Sequence, residues 1–250
     1  MSRTAHSRQI PEIPLAFGEG EVECSACGLD PVCQVLDYGA DAGGVVAEIL
    51  KRRRAIPNGV RLFDNDQPLQ SIFAVKSGSF KAVSQDAQGR QRVVGFYLPG
   101  ELIGTDAMAG RRYTTSVLAL EPSQVCDLWL SRLEASGRPL ESLQRAIIEM
   151  LGREVAFHQQ LISSLIKQNS EQRLAAFLLS LSQRLRVRGL PAESFRLSMS
   201  RSDIASYLGL ARETVSRLLT RLQGDGLIRL RGKRLVLLDL RGLERLAASI

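Results

Sequence analysis

Two groups of side chains in this sequence have the types and spacing for chemistry. The first is sulfur. Cys24, Cys27 and Cys33 fall in one short stretch, Cys24-Ser-Ala-Cys27-Gly-Leu-Asp-Pro-Val-Cys33, and the fourth cysteine, Cys126, lies far downstream. A short loop can wrap three thiolates around a metal centre while a distant fourth pins that loop to a folded scaffold. Four thiolates suit an iron–sulfur cluster or a structural zinc. Zinc sites more often pair two Cys-x-x-Cys knuckles and this chain has one, so the spacing favours a cluster and leaves zinc open. A disulfide pair is disfavoured in a reducing cytosol. Buried inert cysteines would not be expected to gather in a turn-rich loop.

The second group is Arg212, Glu213, Ser216 and Arg217. Arginine can donate twice to guanine, glutamate can accept from cytosine N4, and serine suits base edges or phosphate. Enzyme chemistry is poorly provided for. The two histidines are His6 and His158, no glycine loop suits a nucleotide phosphate, and the carboxylates show no paired arrangement. A redox enzyme or electron carrier built on the cysteines is therefore the weaker alternative.

The elements that must position these groups follow from pattern. Ser200 to Leu208 reads as a short helix with Ser200 as N-cap and Asp203 at N3. Gly209-Leu210 turns the chain, and Ala211 to Leu222 forms a second helix with Val215, Leu218, Leu219 and Leu222 on one face. Two short helices around a glycine turn make a helix-turn-helix, whose second helix enters the major groove N-terminus first. Leu227 to Leu237 is a basic hairpin, the expected wing. Upstream, Val60–Phe63, Ser71–Val75, Phe80–Ser84, Arg92–Leu98, Tyr113–Leu120 and Val125–Leu130 read as short strands, with Asp86-Ala-Gln-Gly89 as a hairpin turn. They imply an antiparallel barrel or roll. The cysteine stretch is too rich in turn residues for regular structure, and residues 1–23 read as a flexible arm. Asp41 is placed as the cap of a short helix using Val45, Val46, Ile49 and Leu50.

Between roll and helix-turn-helix, Pro139 marks a boundary. Beyond it Ile148, Leu151, Val155, His158, Ile162 and Leu165 recur at alternating spacings of three and four, a heptad seam. Leu143, Ile147, Met150 and Leu161 form a second stripe. One stripe can pack on the roll and the other on a second copy, which favours a homodimer over a wholly internal core helix. A formal net charge of +7, with basic residues dense from Arg173 to Arg245, points the C-terminal third at a polyanion. No signal core or bilayer-length apolar run is present, so a cytoplasmic protein without a membrane partner is expected.

The order of cysteine loop, roll, long helix and helix-turn-helix resembles the CRP/FNR superfamily of bacterial regulators over residues 24–240. The cysteine pattern is similar to the FNR branch. So are Ser77-Gly78, Gly95-Phe96, Gly100-Glu-Leu, Glu171-Gln-Arg-Leu-Ala-Ala-Phe177 and Tyr207-Leu-Gly-Leu210. The resemblance implies an α+β fold with a cyclic-nucleotide-binding-like antiparallel β-roll, a long dimerisation helix and a C-terminal winged helix-turn-helix. Its divisions are arm and cysteine loop at 1–40, roll at 41–138, dimerisation helix at 139–168 and DNA-binding domain at 169–250.

It further implies one 4Fe–4S cluster per subunit on Cys24, Cys27, Cys33 and Cys126 under low oxygen, which favours the dimer. Oxygen converts it to a 2Fe–2S form and then destroys it, the dimer loosens and DNA is released. Glu213, Ser216 and Arg217 match residues that read a TTGAT half-site in a two-fold operator on double-stranded DNA, and Arg212 joins them in some branches. RNA polymerase is the implied further partner. Within the same fold, a regulator sensing another small ligand, with zinc or no metal at the cysteines, is the alternative.

Four positions depart from, or qualify, the pattern. Tyr113 stands before Thr114-Thr115 where the nucleotide-binding branch has a phosphate-binding arginine, with Arg111 and Arg112 displaced, which argues against cyclic AMP. His158 replaces an acidic residue in the seam, so repulsion across the two-fold axis would depend on pH. Arg90 replaces an acidic residue in a loop that resembles a polymerase contact. Gly28, beside Cys27, brings no side chain to shield a cluster, which predicts high oxygen sensitivity.

Overall fold

The computed structural model describes residues 20–37, 50–135, 145–152, 155–156, 159 and 169–248. The cysteine stretch is regular rather than a loop. Cys24–Ala26 forms a single 3₁₀ turn and Asp30–Asp37 a helix, α1, so Cys33 sits on a helix rather than in an irregular loop. Asp30-Pro31 is a start signal, because proline in a first turn has no hydrogen bond to lose there and its φ suits a helix. Just upstream, Val22 is fully buried, and its N–H donates to the Lys76 carbonyl. The expected arm is therefore anchored at its C-terminal end. The proposed Asp41 cap, with Val45, Val46 and Ile49, lies outside the described residues, and Leu50 opens a strand instead of closing a helix.

The roll is two four-stranded antiparallel sheets. The first contains β1 (Leu50–Ile56), β8 (Ser123–Trp129), β3 (Ser71–Ser77) and β6 (Leu102–Ile103), in that order. The second contains β2 (Arg61–Phe63), β7 (Ser116–Ala119), β4 (Phe80–Gln85) and β5 (Gln91–Tyr97). Strands β1 and β6 had no counterpart in the pattern reading. Alternation along β3 and β8 separates two cores. Phe73, Val75 and Val125 point between the sheets with Phe63, Phe80 and Tyr113. Ile72, Ala74 and Leu128 point outward, where Leu29, Val32 of α1, and Ala146 and Met150 of the helical residues 145–152 cover them.

A short helix α2 (Leu130–Ala135) follows β8. The C-terminal domain opens with α3 (Ser170–Val187), capped by Asn169, whose side chain accepts from the Glu171 and Gln172 amides while Gln172 reaches back to the Asn169 N–H. Next come β9 (Ser194–Arg196), α4 (Arg201–Leu208) and α5 (Arg212–Gly224). The hairpin β10 (Ile228–Arg231) and β11 (Arg234–Leu237) and a final helix, α6 (Leu240–Ala248), complete it. β9 pairs with β11, so the wing is three-stranded rather than a plain hairpin. The core of this domain takes in Val93, Phe96 and Leu98 from the roll. Among the described residues no helix is long and apolar enough to cross a membrane.

Candidate cysteine centre and DNA interface

Alternation on β8 decides where Cys126 goes. Its neighbours Val125 and Asp127 turn into the roll, so Cys126 faces outward beside Leu128, opposite Ala74 of β3. The cysteine stretch docks on that outward face. Cys27, Cys33 and Cys126 all pack against the same apolar cluster, formed by Leu29, Val32, Ile72, Ala74, Leu102 and Leu128. Cys24 is exposed at the rim, and none of the four is in a disulfide. The stretch is held by main-chain bonds: Cys27 N–H to the Cys24 carbonyl at 3.0 Å, Gly28 N–H to the Gly100 carbonyl at 2.8 Å, and Cys33 N–H to the Leu29 carbonyl at 2.9 Å.

Burial pushes the Cys27 thiol up to about 11, with the Leu29 amide pulling the other way and Cys126 adding to the rise. Arg188 lowers it and Cys24 raises it, so Cys24 and Cys126 each lie within electrostatic reach of Cys27. Among the described residues no three His, Cys, Asp or Glu side chains gather tightly enough for one metal ion. A multinuclear cluster spans more space than a single ion. A rim cysteine, two on a packed turn and helix and one on a rigid strand form a donor set of the sulfur-only kind such clusters take.

Gly28 is a packing residue. A Cβ there would stand 2.7 Å from Leu102 Cγ and 3.1 Å from the Gly100 carbonyl oxygen. The glycine lets the stretch lie flat on the roll, a role the sequence reading did not assign to it.

At the other end, the helix-turn-helix forms as its signals require. The Ser200 hydroxyl accepts from the Asp203 N–H, and the Asp203 carboxylate accepts from the Ser200 N–H, each at 3.0 Å. Gly209 takes the left-handed conformation at φ +64° and ends α4. On α5, Val215, Leu218, Leu219 and Leu222 are buried, while Arg212, Glu213, Ser216 and Arg217 are all exposed along one side. The wing exposes Arg229, Arg231 and Lys233 around Gly232. The start of α5 and the wing thus both present exposed basic side chains, suited to contact with phosphates.

The seam is split by the limits of the described residues. Ile148 and Val155 are 70% and 56% exposed, and Leu151 is half-buried against the roll. Met150 and Ile147, from the second stripe, pack inward. His158, Ile162 and Leu165 lie outside the described residues, as do Leu143, Leu161 and Pro139. Arg90 is exposed and ion-paired to Asp86 in its own hairpin at 2.7 Å.

Tyr113 is buried, stacked on Phe63 with ring centroids 3.6 Å apart, and its hydroxyl donates to the Ser71 carbonyl at 2.7 Å. It walls a half-open cavity of about 470 Å³ between the sheets, with Arg54, Phe73, Asp127 and Trp129. Sequence reasoning missed a further set of polar residues. Glu101, in the Gly100-Glu-Leu motif, is ion-paired inside the protein to Arg184 of α3, and Lys81 of β4 donates to Asp203 of α4 at 2.6 Å. Nothing local in the sequence announces partners so far apart.

Comparison with known proteins agrees with this architecture. Residues 53–135 match the cyclic nucleotide-binding domain family and residues 172–246 the Crp-like helix-turn-helix domain family. The chain is 38% identical over 239 residues to the transcriptional activator protein anr of Pseudomonas aeruginosa, covering 96% of this chain and 94% of that one. It is 35% identical to electron transport regulator A of Shewanella oneidensis over 91% of each chain. It is 34% identical to the fumarate and nitrate reduction regulatory protein of Vibrio cholerae over 90% of each. Among solved structures, FixK2 from Bradyrhizobium japonicum superposes with a TM-score of 0.67 at 27% identity, covering 79% of this chain and 98% of that one. A roll of two antiparallel sheets, a helix-turn-helix with its wing and relatives of this similarity over nearly the whole length lead to one conclusion: the chain belongs to the CRP/FNR family of DNA-binding transcription regulators.

Proposed function

We propose that this chain is a cytoplasmic transcription activator of the FNR branch, a homodimer that binds DNA under low oxygen while each subunit holds one 4Fe–4S cluster. The carrying observation is that Cys27 and Cys33 pack on the same outward face of the roll as Cys126. A cluster bound there would supply an oxygen-labile redox centre. The chain's residues provide the rest: Cys24, Cys27, Cys33 and Cys126 as ligands, Leu29 N–H as a donor toward the Cys27 sulfur, and the apolar floor that keeps water from one side. The relatives named as activator, electron transport regulator and fumarate and nitrate reduction regulator support the same reading.

Exposed Ile148 and Val155 support pairing through the seam, which would place two copies of α5 on a two-fold site. Arg212, Glu213, Ser216 and Arg217 would then read TTGAT, four base pairs and ATCAA. RNA polymerase is the partner an activator requires. Cyclic AMP is not the signal in this reading, because Tyr113, stacked on Phe63, stands where the nucleotide-binding branch has its phosphate-binding arginine, and Glu101 is engaged by Arg184.

The test is oxygen-free purification followed by visible spectra, iron and sulfide content, and binding to that duplex before and after air. A brown protein with about four irons per chain, as four thiolates around one cluster require, that bleaches and releases the duplex is the expected result. A colourless protein binding equally in both conditions would remove the cluster. It would favour a second reading, in which the cavity beside Tyr113 takes a small ligand and the cysteines hold zinc or nothing.

A further inference from the structure

The cysteine stretch and the DNA-binding domain touch directly. Arg188, the residue that closes α3, donates to the Ala26 carbonyl at 2.7 Å, between Cys24 and Cys27. One turn earlier on α3, Arg184 donates through Nε to Glu101 Oε1 at 2.7 Å and through Nη2 to Oε2 at 2.6 Å. Nη2 also reaches the Phe96 carbonyl at 2.5 Å. Glu101 Oε2 accepts in addition from the Leu98 N–H at 2.8 Å. Both charges are inside the protein, Glu101 at 4% and Arg184 at 7% exposure. Residues four apart on a helix share a face, so Arg184 and the C-cap Arg188 address the same spot.

That spot is the Gly100-Glu101 turn, and it also grips the cysteine stretch. The Gly100 carbonyl accepts from the Gly28 N–H at 2.8 Å. Gly100 has φ +89°, and a Cβ there would stand 2.8 Å from Arg188 Cδ and 3.2 Å from the Ala26 carbonyl oxygen. Glycine is needed for the arginine to cross the turn and reach Ala26. Three segments therefore meet through bonds to one another: cysteine stretch to turn, turn to α3, and α3 back to the cysteine stretch.

We infer that Arg184 and Arg188 are positioning residues for DNA recognition, tying α3 to the cysteine stretch so that its folded state sets the orientation of the recognition helix within each subunit. This deepens the oxygen-sensing reading and rests on it for the signal, but its route runs inside one subunit and does not pass through the dimer seam. Losing the centre would unravel the short 3₁₀ turn that presents the Ala26 carbonyl. Arg188 would lose its acceptor, and α3, with α4 and α5 packed on it, would be freer to turn on the roll. Two recognition helices must meet successive half-sites one helical turn apart, so rotational freedom in each domain costs affinity even in an intact dimer.

The experiment uses the full chain purified without oxygen and compares wild type, Arg188→Met and Arg188→Lys. Arg188 is preferred to Arg184 because it is half-buried and its loss leaves no charge stranded. Iron and sulfide content, mass by sedimentation, duplex binding by anisotropy and hydrogen exchange at Gly28 and in the last turn of α3 are read together. Arg188→Met should keep its colour and dimeric mass yet bind the duplex about five- to tenfold more weakly, the scale of one lost hydrogen bond. Exchange should be faster at both places, and Arg188→Lys should recover part of each change. Binding within about twofold of wild type, or a loss that merely follows loss of dimer, would overturn the inference. If wild type carries neither iron nor sulfide, the oxygen reading falls. The binding and exchange differences between the variants then still decide the coupling.

Discussion

At the scale of single residues, the positions that matter most are those where the backbone or a base edge leaves no latitude. Gly28 lies against Leu102, a residue with 1% exposure, so a methyl group must displace packed side chain rather than enter solvent. Gly28→Ala should lower stability by about 1–3 kcal/mol, the usual cost of overpacking, read as a shift in thermal midpoint. A protein of unchanged midpoint would show that the stretch slides without cost. Glu213 is exposed at the start of α5, where it can accept from a cytosine N4. Glu213→Ala should relax selectivity at one base pair per half-site by about 1–3 kcal/mol, measured with single-substitution duplexes, and leave selectivity at the other positions intact.

At the scale of elements, capping and docking are joined in Asp203. Burial alone would raise its pKa, but donation from Lys81 and from Ser200 outweighs it and holds the carboxyl below the ordinary value. A group lowered in the folded state contributes stability that is present above its unfolded pKa of about 3.9 and lost as pH falls through the folded value. Wild type should therefore exceed Asp203→Asn in thermal midpoint near neutral pH, with the gap closing below about pH 4 as the carboxyl of wild type protonates. A gap that stays constant down to pH 3, about one unit below the unfolded value, would mean that donation from Lys81 and Ser200 does no more than offset the cost of burial.

At the scale of the molecule, one chain exposes an apolar stripe and a cationic surface at opposite stages of the same path. Ile148 is 70% exposed on a helix whose inner side already covers the roll. Ile148→Glu should leave the fold of the subunit intact and shift the protein toward monomer in sedimentation, with duplex binding falling in step. Dimers at unchanged concentration would place the interface elsewhere. The domains inside one subunit are held differently, by a shared aromatic core in which Phe96 of the roll lies 5.8 Å from Phe177 and 5.2 Å from Tyr207. That core joins the DNA-binding domain to the roll alongside the polar ties at Glu101 and Ala26, and the Arg188 bond is the one of these that reaches the cysteine stretch.

Local order was legible in the sequence because its causes are local. The Ser200–Asp203 capping box, the Gly209 turn and the apolar face of α5 depend on residues within a few positions of one another. Most roll strands were legible for the same reason, since alternation and turn residues sit side by side. Strand β1 was not. Its run Lys51 to Arg54 looks solvated until Arg54 meets Asp127 at 2.7 Å across the sheet, and a register shift interrupts its pairing with β8. The cysteine set was legible as four ligands, but only the fold put Cys126 on the outward face of β8, because that depends on the pairing and alternation of distant strands. The Arg184–Glu101 pair and the Arg188 bond to Ala26 belong wholly to tertiary structure. A charged side chain gives no local sign of whether it will be solvated or buried against a partner, and that outcome is settled when the domains close on each other.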